Sequence, residues 1–177
     1  MGSDKSRSTV GGVPMGARAG LALLRSASPV LAVGPDPGLG LATVEDSRRG
    51  PLAALAAGMR HLADTGCTGP VLLAACDLPF LTPELLDLVA GELSAGALAA
   101  VPVAGDRLQP LAACYAPGVL AIAEGLVDKG ELSMKALLDT IEVRRVGPEA
   151  WGLLAGPYAL TDVDTPADLA AANRTLR

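Results

Sequence analysis

Short apolar runs alternate along this chain with longer segments rich in alanine and leucine. The short runs are predicted strands and lie at residues 29–33, 71–75, 97–103 and 141–146. The longer segments are predicted helices and lie at residues 15–25, 52–64, 83–94, 117–127 and 166–175. The first two strands lack polar alternation, so they are expected to be buried on both faces of a mostly parallel sheet. Strands that alternate with helices in this way predict a three-layer α/β/α fold.

Capping residues mark the beginnings of two of these helices. Thr82 stands before Pro83, and Thr165 stands before Pro166 with Asp168 three residues further on. Threonine is a favoured N-cap, proline is favoured at the first helical position, and an acidic residue at the third position completes a capping box. We therefore expect helices to begin at Pro83 and Pro166.

Length and composition limit the class of protein. The 177 residues suit one domain, 1–177, and no composition shift suggests a boundary. With one Trp, two Tyr and one Phe, the core must consist mainly of Ala, Leu and Val.

A net charge of -5 argues against a nucleic-acid-binding face, although it allows a nucleotide substrate. The apolar runs are far shorter than the ~20 residues of a membrane span, so no membrane partner is expected.

The three cysteines indicate a reducing compartment. Cys67, Cys76 and Cys114 are an odd number, far apart, and none belongs to a C-x-x-C pair. This pattern argues against a disulfide framework and a zinc site. We expect free thiols in a cytoplasmic protein.

Residues 71–82 place a carboxylate at the end of a predicted buried strand. The apolar run leads directly into Asp77, and Pro79 then ends strand pairing because proline has no N–H to donate. Mg²⁺ prefers oxygen ligands and is often held by one or two carboxylates together with substrate phosphates. From spacing alone, two interpretations remain: Asp77 binds a metal ion, or it caps the following turn.

Three other segments are weaker candidates for chemistry. Asp46 and Gly50 stand ahead of a predicted helix, where they form either a nucleotide-contacting turn or an ordinary helix-entry loop. Lys5, near Gly2, either binds phosphate as a point charge or belongs to a disordered tail. Asp162 and Asp164 would share one face of an extended strand, where Asp164 could supply a second metal carboxylate.

Six short motifs follow one another along the whole chain. They are M-G-S-D-K at 1–5, G-V-P at 12–14, E-D with G-P-L-A at 45–53, C-D-L-P-F at 76–80, Q-P-L at 109–111 and D-V-D-T-P-A-D at 162–168. In this order and spacing they resemble the molybdenum cofactor guanylyltransferase family. The family motifs are L-A-G-G-x-S-x-R-M-G-x-D-K, G-x-P, E-D with G-P-L-A-G, C-D-x-P-[FY], Q-P-L and N-x-N-T-P-x-[DE].

The resemblance implies a Rossmann-related, glycosyltransferase-A-like fold and a magnesium-dependent cytoplasmic nucleotidyltransferase. Its reaction would transfer GMP from GTP to molybdopterin (the molybdenum cofactor) and release pyrophosphate. By this resemblance Lys5 stabilises the triphosphate and Asp77 holds Mg²⁺ on it, and both are catalytic. Asp46 and Gly50 contact the nucleotide, and Asp164 assists at the metal. Transient contact with molybdoenzymes or their chaperones is a further implication.

The chain departs from the family pattern in three places. The strand and L-A-G-G loop that precede M-G-x-D-K in the family are not in this sequence, so we expect that it starts at an internal Met and is incomplete at its N-terminus. Residues 32–34 offer no polar side chain where guanine-specific relatives often carry Asn, and Asp replaces Asn in D-V-D-T-P. The alternatives are a sibling enzyme, such as molybdenum cofactor cytidylyltransferase, or a non-catalytic nucleotide-binding relative.

Overall fold

The computed structural model describes residues 7–176. Its strands are β1 (Thr9–Val10), β2 (Val13–Pro14), β3 (Leu31–Val33), β4 (Ala42–Val44), β5 (Val71–Ala74), β6 (Ala99–Ala104), β7 (Arg107–Leu108), β8 (Ala112–Tyr115) and β9 (Val143–Val146). Its helices are α1 (Met15–Ser26), α2 (Pro51–Asp64), α3 (Pro83–Gly91), α4 (Val119–Asp128), α5 (Met134–Leu138), α6 (Pro148–Ala155) and α7 (Pro166–Thr175). The α/β class predicted from the sequence is confirmed.

The largest sheet is mixed rather than mostly parallel. Its strand order is β5-β8-β6-β7, and β9 pairs in parallel with β6. Strand β8 runs antiparallel to both β5 and β6. The reason is the short connection from β6 through β7 to β8, because only antiparallel neighbours can be joined without a long crossover. The sequence prediction missed β8 and therefore this reversal.

Helices cover both faces of this sheet. Along β8, Ala112 and Cys114 pack into a cluster with α1, α3 and α6, whereas Ala113 and Tyr115 pack into a second cluster with α2, α4 and α5. Alternate residues of a strand point to opposite faces, so both faces carry apolar core. The small Ala side chains of the sheet let these Leu-rich helices pack closely against it.

Two smaller strand pairs lie outside the five-stranded sheet. Strands β1 and β2 form a hairpin whose turn residues, Gly11 and Gly12, have φ angles of 60° and 77°. Two positive φ values at a two-residue turn are typical of type I′, which glycine adopts without strain. Strands β3 and β4 pair with each other in parallel and do not pair with β5.

The predicted helix starts at Pro83 and Pro166 are confirmed. The Thr82 hydroxyl accepts a hydrogen bond from the Leu85 N–H at 3.3 Å. Thr165 forms a complete capping box with Asp168. Within residues 7–176, no helix combines the length and the apolarity needed to cross a membrane.

Candidate active site

Asp77 lies half-buried just after β5, in a turn that is held on several sides. The Ala75 N–H donates to the Leu111 carbonyl at 2.8 Å, which extends the β5–β8 ladder almost to the aspartate. On the other side of Asp77, Leu78 is buried. Arg18 of α1 donates from Nε to the Pro79 carbonyl at 2.7 Å. The backbone around the carboxylate is therefore fixed by strand pairing, burial and a charged donor.

The segment that contains Asp162 and Asp164 is hydrogen-bonded to the backbone of Asp77. The Val163 N–H donates to the Asp77 carbonyl oxygen at 3.0 Å, and the Val163 side chain is buried with Val10, Met15 and Ala172. The segment is a loop, and not an extended strand on which Asp162 and Asp164 would share one face, because its backbone turns into the capping box of α7. The structure thus places the segment that contains Asp164 next to the segment that contains Asp77.

Asp46 follows β4 and is half-buried. Its Oδ1 accepts the Arg48 N–H at 2.8 Å, and Arg48 has a φ of 55°. This is a short aspartate turn in which the carboxylate supports a left-handed residue. Within the described part of the chain, Oδ2 of Asp46 has no hydrogen-bond partner, so one carboxylate oxygen is left for a ligand.

Gly50 precedes α2 with a φ of 132°, a conformation that side chains of other residues rarely permit. An ideal Cβ here would lie 3.1 Å from the Leu132 carbonyl oxygen. The absence of a side chain at Gly50 therefore allows the close approach of the chain's own loop at Leu132. A contact between Gly50 and a nucleotide remains a prediction.

Asp46 and Asp77 line the same cavity of about 630 Å³. This cavity, the β3–β5 groove, lies between strands β3 and β5 and is lined by residues of α1 and α2. The two carboxylates follow β4 and β5, respectively, so both belong to loops at the carboxyl ends of strands. Loops in this position bind ligands in α/β sheets.

The donor set suits a hard cation. Asp77 and Asp164 offer carboxylate oxygens, which Mg²⁺ prefers. Within residues 7–176, no group of three or more His, Cys, Asp or Glu side chains forms a preassembled metal site. A Mg²⁺ ion at Asp77 would therefore need further oxygens from a substrate, as phosphates supply in many nucleotide sites. Lys5 lies outside the described residues.

Comparison with known protein families shows to which family this chain belongs. Residues 1–146 match the family described as "MobA-like NTP transferase domain". The chain belongs to this family. The predicted family membership is thus confirmed over most of the sequence, and the matched range includes Asp46, Gly50 and Asp77.

Curated relatives agree with this membership. A probable molybdenum cofactor guanylyltransferase from Bacillus licheniformis is 31% identical over 68% of this chain and 59% of its own length. The corresponding protein from Pelotomaculum thermopropionicum is 34% identical over 76% of this chain and 64% of its own length. This family member thus spans about three-fifths of the length of these relatives.

Solved structures share the fold. Molybdopterin-guanine dinucleotide biosynthesis protein A from Archaeoglobus fulgidus matches with a TM-score of 0.78 and 24% identity, covering 99% of this chain and 91% of the other. The 2-C-methyl-D-erythritol 4-phosphate cytidylyltransferase from Thermus thermophilus matches with a TM-score of 0.68 and 21% identity, covering 98% and 94%. At these identities the likeness concerns the fold alone.

The sequence did not indicate two residues that position the site. Arg18 lies within α1, where a lone arginine is normally a solvated residue, yet it donates to the Pro79 carbonyl next to the Asp77 turn. Val163 acts through its backbone N–H, which no side-chain pattern can indicate. In this family member the sequence pattern indicated the acidic residues of the candidate site. Only long-range contacts in the structure reveal the residues that fix the backbone beside them.

Proposed function

We propose that this protein transfers GMP from GTP to molybdopterin and releases pyrophosphate. A terminal phosphate oxygen of molybdopterin forms a bond to the α-phosphorus of GTP, while the bond from that phosphorus to the bridging oxygen of the β-phosphate breaks. Such a reaction needs positioning and charge neutralisation more than covalent chemistry by the protein. Family membership and the guanylyltransferase names of the Bacillus and Pelotomaculum relatives support the proposal.

The observation that carries the proposal is the hydrogen bond from the Val163 N–H to the Asp77 carbonyl at 3.0 Å. It joins two acidic segments that are 86 residues apart in sequence. Acidic groups held together beside an open cavity favour a ligand that brings a cation. A nucleoside triphosphate with its magnesium ion meets that requirement.

Asp77, with Asp164 beside it, would hold the magnesium ion. When bound, the ion neutralises charge on the triphosphate and on the pyrophosphate that leaves. The buried turn that follows Asp77 and the Val163 hydrogen bond fix its backbone, which supports this role. Lys5 is proposed as a second phosphate-neutralising group, on the basis of the family motif at 1–5.

Oδ2 of Asp46, which accepts from no described group, supports guanine rather than cytosine as the base in this proposal. The guanine edge presents an N2 amino donor and an adjacent ring N–H, whereas the cytosine edge has a single amino donor. A carboxylate that accepts from such donors therefore binds guanine better. The aspartate turn at Arg48 holds the other oxygen and fixes the direction of the group.

The direct test is pyrophosphate release by the purified protein with molybdopterin, Mg²⁺ and either GTP or CTP. We expect release with GTP, a product whose mass equals molybdopterin plus GMP, and at least tenfold lower kcat/KM with CTP. Equal turnover of the two nucleotides would assign the protein to the sibling class. No turnover with either, despite nucleotide binding, would indicate a non-catalytic relative.

We also place this reaction in the cytoplasm. Within residues 7–176, no disulfide joins Cys67, Cys76 and Cys114, which suits a reducing compartment.

A further inference from the structure

A second cavity, of about 300 Å³, lies beside the segment that follows Asp77. This cavity, the Arg18 pocket, is lined by Arg18 of α1, by residues 79–82 and by residues 155–159. None of these residues lines the β3–β5 groove. The Arg18 pocket is therefore distinct from the cavity that Asp46 and Asp77 share.

Both walls of the Arg18 pocket lead back to Asp77. Pro79 stands two residues after Asp77, so their Cα atoms are at most about 7 Å apart. In the opposite wall, the chain runs on from Ala159 to Val163, whose N–H donates to the Asp77 carbonyl. A ligand in the pocket therefore lies close to the carboxylate proposed to hold magnesium.

Two aromatic rings border the pocket. Of the four aromatic residues in the chain, Tyr115 and Trp151 are buried in the core. The other two, Phe80 and Tyr158, both line the pocket, and Tyr158 is 51% exposed. Their ring centroids are 6.1 Å apart and their planes are inclined by 47°. A further planar ring can stack on one of them and meet the edge of the other, two arrangements that aromatic rings favour.

Arg18 supplies a positive charge at the same pocket. Its Nε donates to the Pro79 carbonyl at 2.7 Å, and its Nη1 donates to the Val10 carbonyl at 3.4 Å. Within residues 7–176, no carboxylate forms an ion pair with Arg18, and its Nη2 donates to no described group. A half-buried charge is stabilised by an ionic partner, and a guanidinium matches the oxygens of anions. The pocket therefore favours a planar ring that bears an anionic group.

We propose that the Arg18 pocket binds the pterin ring system of the acceptor, molybdopterin. The rings of Phe80 and Tyr158 contact the pterin, and Arg18 contacts an anionic group that the ring system bears, such as the dithiolene sulfurs. The acceptor phosphate then extends along the pocket walls towards Asp77. This inference rests on the function proposed above, because it gives a place to the second substrate of that reaction.

The size of the pocket agrees with this occupant. A cavity of about 300 Å³ is at the lower end of the range for small-molecule sites, so it suits one fused ring system rather than a whole nucleotide. Arg18 and Tyr158 stand outside the six sequence motifs, so the family resemblance assigns neither of them a role.

Two pterins test the pocket on the 177-residue chain. The probe is pterin-6-carboxylate, which joins the fused ring to one carboxylate and is itself fluorescent. We expect saturable binding of one molecule per chain, measured by equilibrium dialysis. The matched neutral probe, 6-hydroxymethylpterin, keeps the ring and lacks the carboxylate. Its affinity should be lower, on the order of tenfold, because it makes no hydrogen bond between opposite charges with Arg18.

Substitutions of Tyr158 test the ring contact. Tyr158→Ala should weaken binding of pterin-6-carboxylate on the order of fivefold, whereas Tyr158→Phe keeps the ring and should bind nearly as the parent chain does. Leu153→Ala is the matched control, because Leu153 is 98% exposed on the neighbouring α6 and does not line the pocket. If circular dichroism shows that Tyr158→Ala is unfolded, the two pterins on the parent chain decide the question.

Displacement shows whether the pocket serves the acceptor. Molybdopterin should displace pterin-6-carboxylate from the parent chain, whereas GTP with Mg²⁺ should not. This measurement reports binding and does not need turnover. Displacement by molybdopterin without any pyrophosphate release would support the pocket and count against the proposed function. Pyrophosphate release without displacement would support the function and overturn the pocket.

Three further results would overturn the proposal. They are absence of saturable binding, equal affinity of the two pterins, and parental affinity of a folded Tyr158→Ala variant. Displacement by GTP with Mg²⁺ would also overturn it, because the probe would then occupy the nucleotide site.

Discussion

At the scale of single residues, backbone contacts hold the candidate site in place. Asp77 is followed by the buried Leu78, and its own carbonyl accepts the Val163 N–H. Arg18 binds the Pro79 carbonyl next to it. The sequence could indicate Asp77 because this aspartate follows an apolar run and stands two residues ahead of Pro79, which ends strand pairing. It could not indicate Arg18 or Val163, because their partners lie 61 and 86 residues away.

Gly50 illustrates how a residue in a family motif can serve the fold. Replacing Gly50 with alanine should destabilise the protein by about 2 kcal/mol, because its φ of 132° strains any side chain. The new Cβ would also approach the Leu132 carbonyl. Urea denaturation of the purified variant measures the change in unfolding free energy.

Gly125→Ala is the matched control for this prediction. Gly125 lies within α4, and an added Cβ there meets no atom within 4 Å. Alanine is the better helix former, so this change should stabilise the protein by about 0.5–1 kcal/mol. Equal effects of the two substitutions would show that the conformation of Gly50 carries no strain.

At the scale of elements, helices were easier to predict than strands. Thr82 and Thr165 mark two helix starts by local chemistry, and the structure has both helices beginning at the following proline. Strand β8 has the sequence A-A-C-Y, which lacks β-branched residues and is a strand because it is buried between β5 and β6. Burial of that kind depends on distant neighbours, so a single sequence does not show it.

The capping box of α7 can be tested by Thr165→Ala. The Thr165 hydroxyl accepts the Asp168 N–H at 3.2 Å, and the Asp168 carboxylate accepts the Thr165 N–H at 2.8 Å. Loss of the hydroxyl should lower the unfolding free energy by about 1 kcal/mol, measured by urea denaturation.

Thr161→Ala provides the control, because Thr161 is exposed and its N–H, which the change retains, donates to the Tyr158 carbonyl. We expect that control to change stability by less than about 0.5 kcal/mol. A Thr165→Ala variant as stable as the control would mean that the capping box contributes little to α7.

At the scale of the whole molecule, distant parts of the chain meet around the site. Asn173 of α7 donates to the Thr9 carbonyl and accepts the Gly11 N–H, which ties the last helix to the first hairpin. The sequence predicted an α/β fold from its alternating pattern. It did not predict that β8 would reverse direction, or that β3 and β4 would pair apart from the main sheet, because strand order is set by long-range contacts.

The proposed nucleotidyl transfer depends most on Asp77. Asp77→Asn keeps the size of the side chain and removes the negative charge that would hold Mg²⁺. Asp87→Asn is the matched control, because Asp87 is exposed on α3.

The deciding measurement is pyrophosphate release from GTP with molybdopterin and Mg²⁺, compared among the parent chain, Asp77→Asn and Asp87→Asn. If Asp77 holds Mg²⁺, Asp77→Asn lowers kcat on the order of 100-fold or more while its circular dichroism spectrum and unfolding midpoint stay those of a folded protein. Asp87→Asn should match the parent chain. A folded Asp77→Asn variant with parental turnover would show that Asp77 does not serve nucleotidyl transfer.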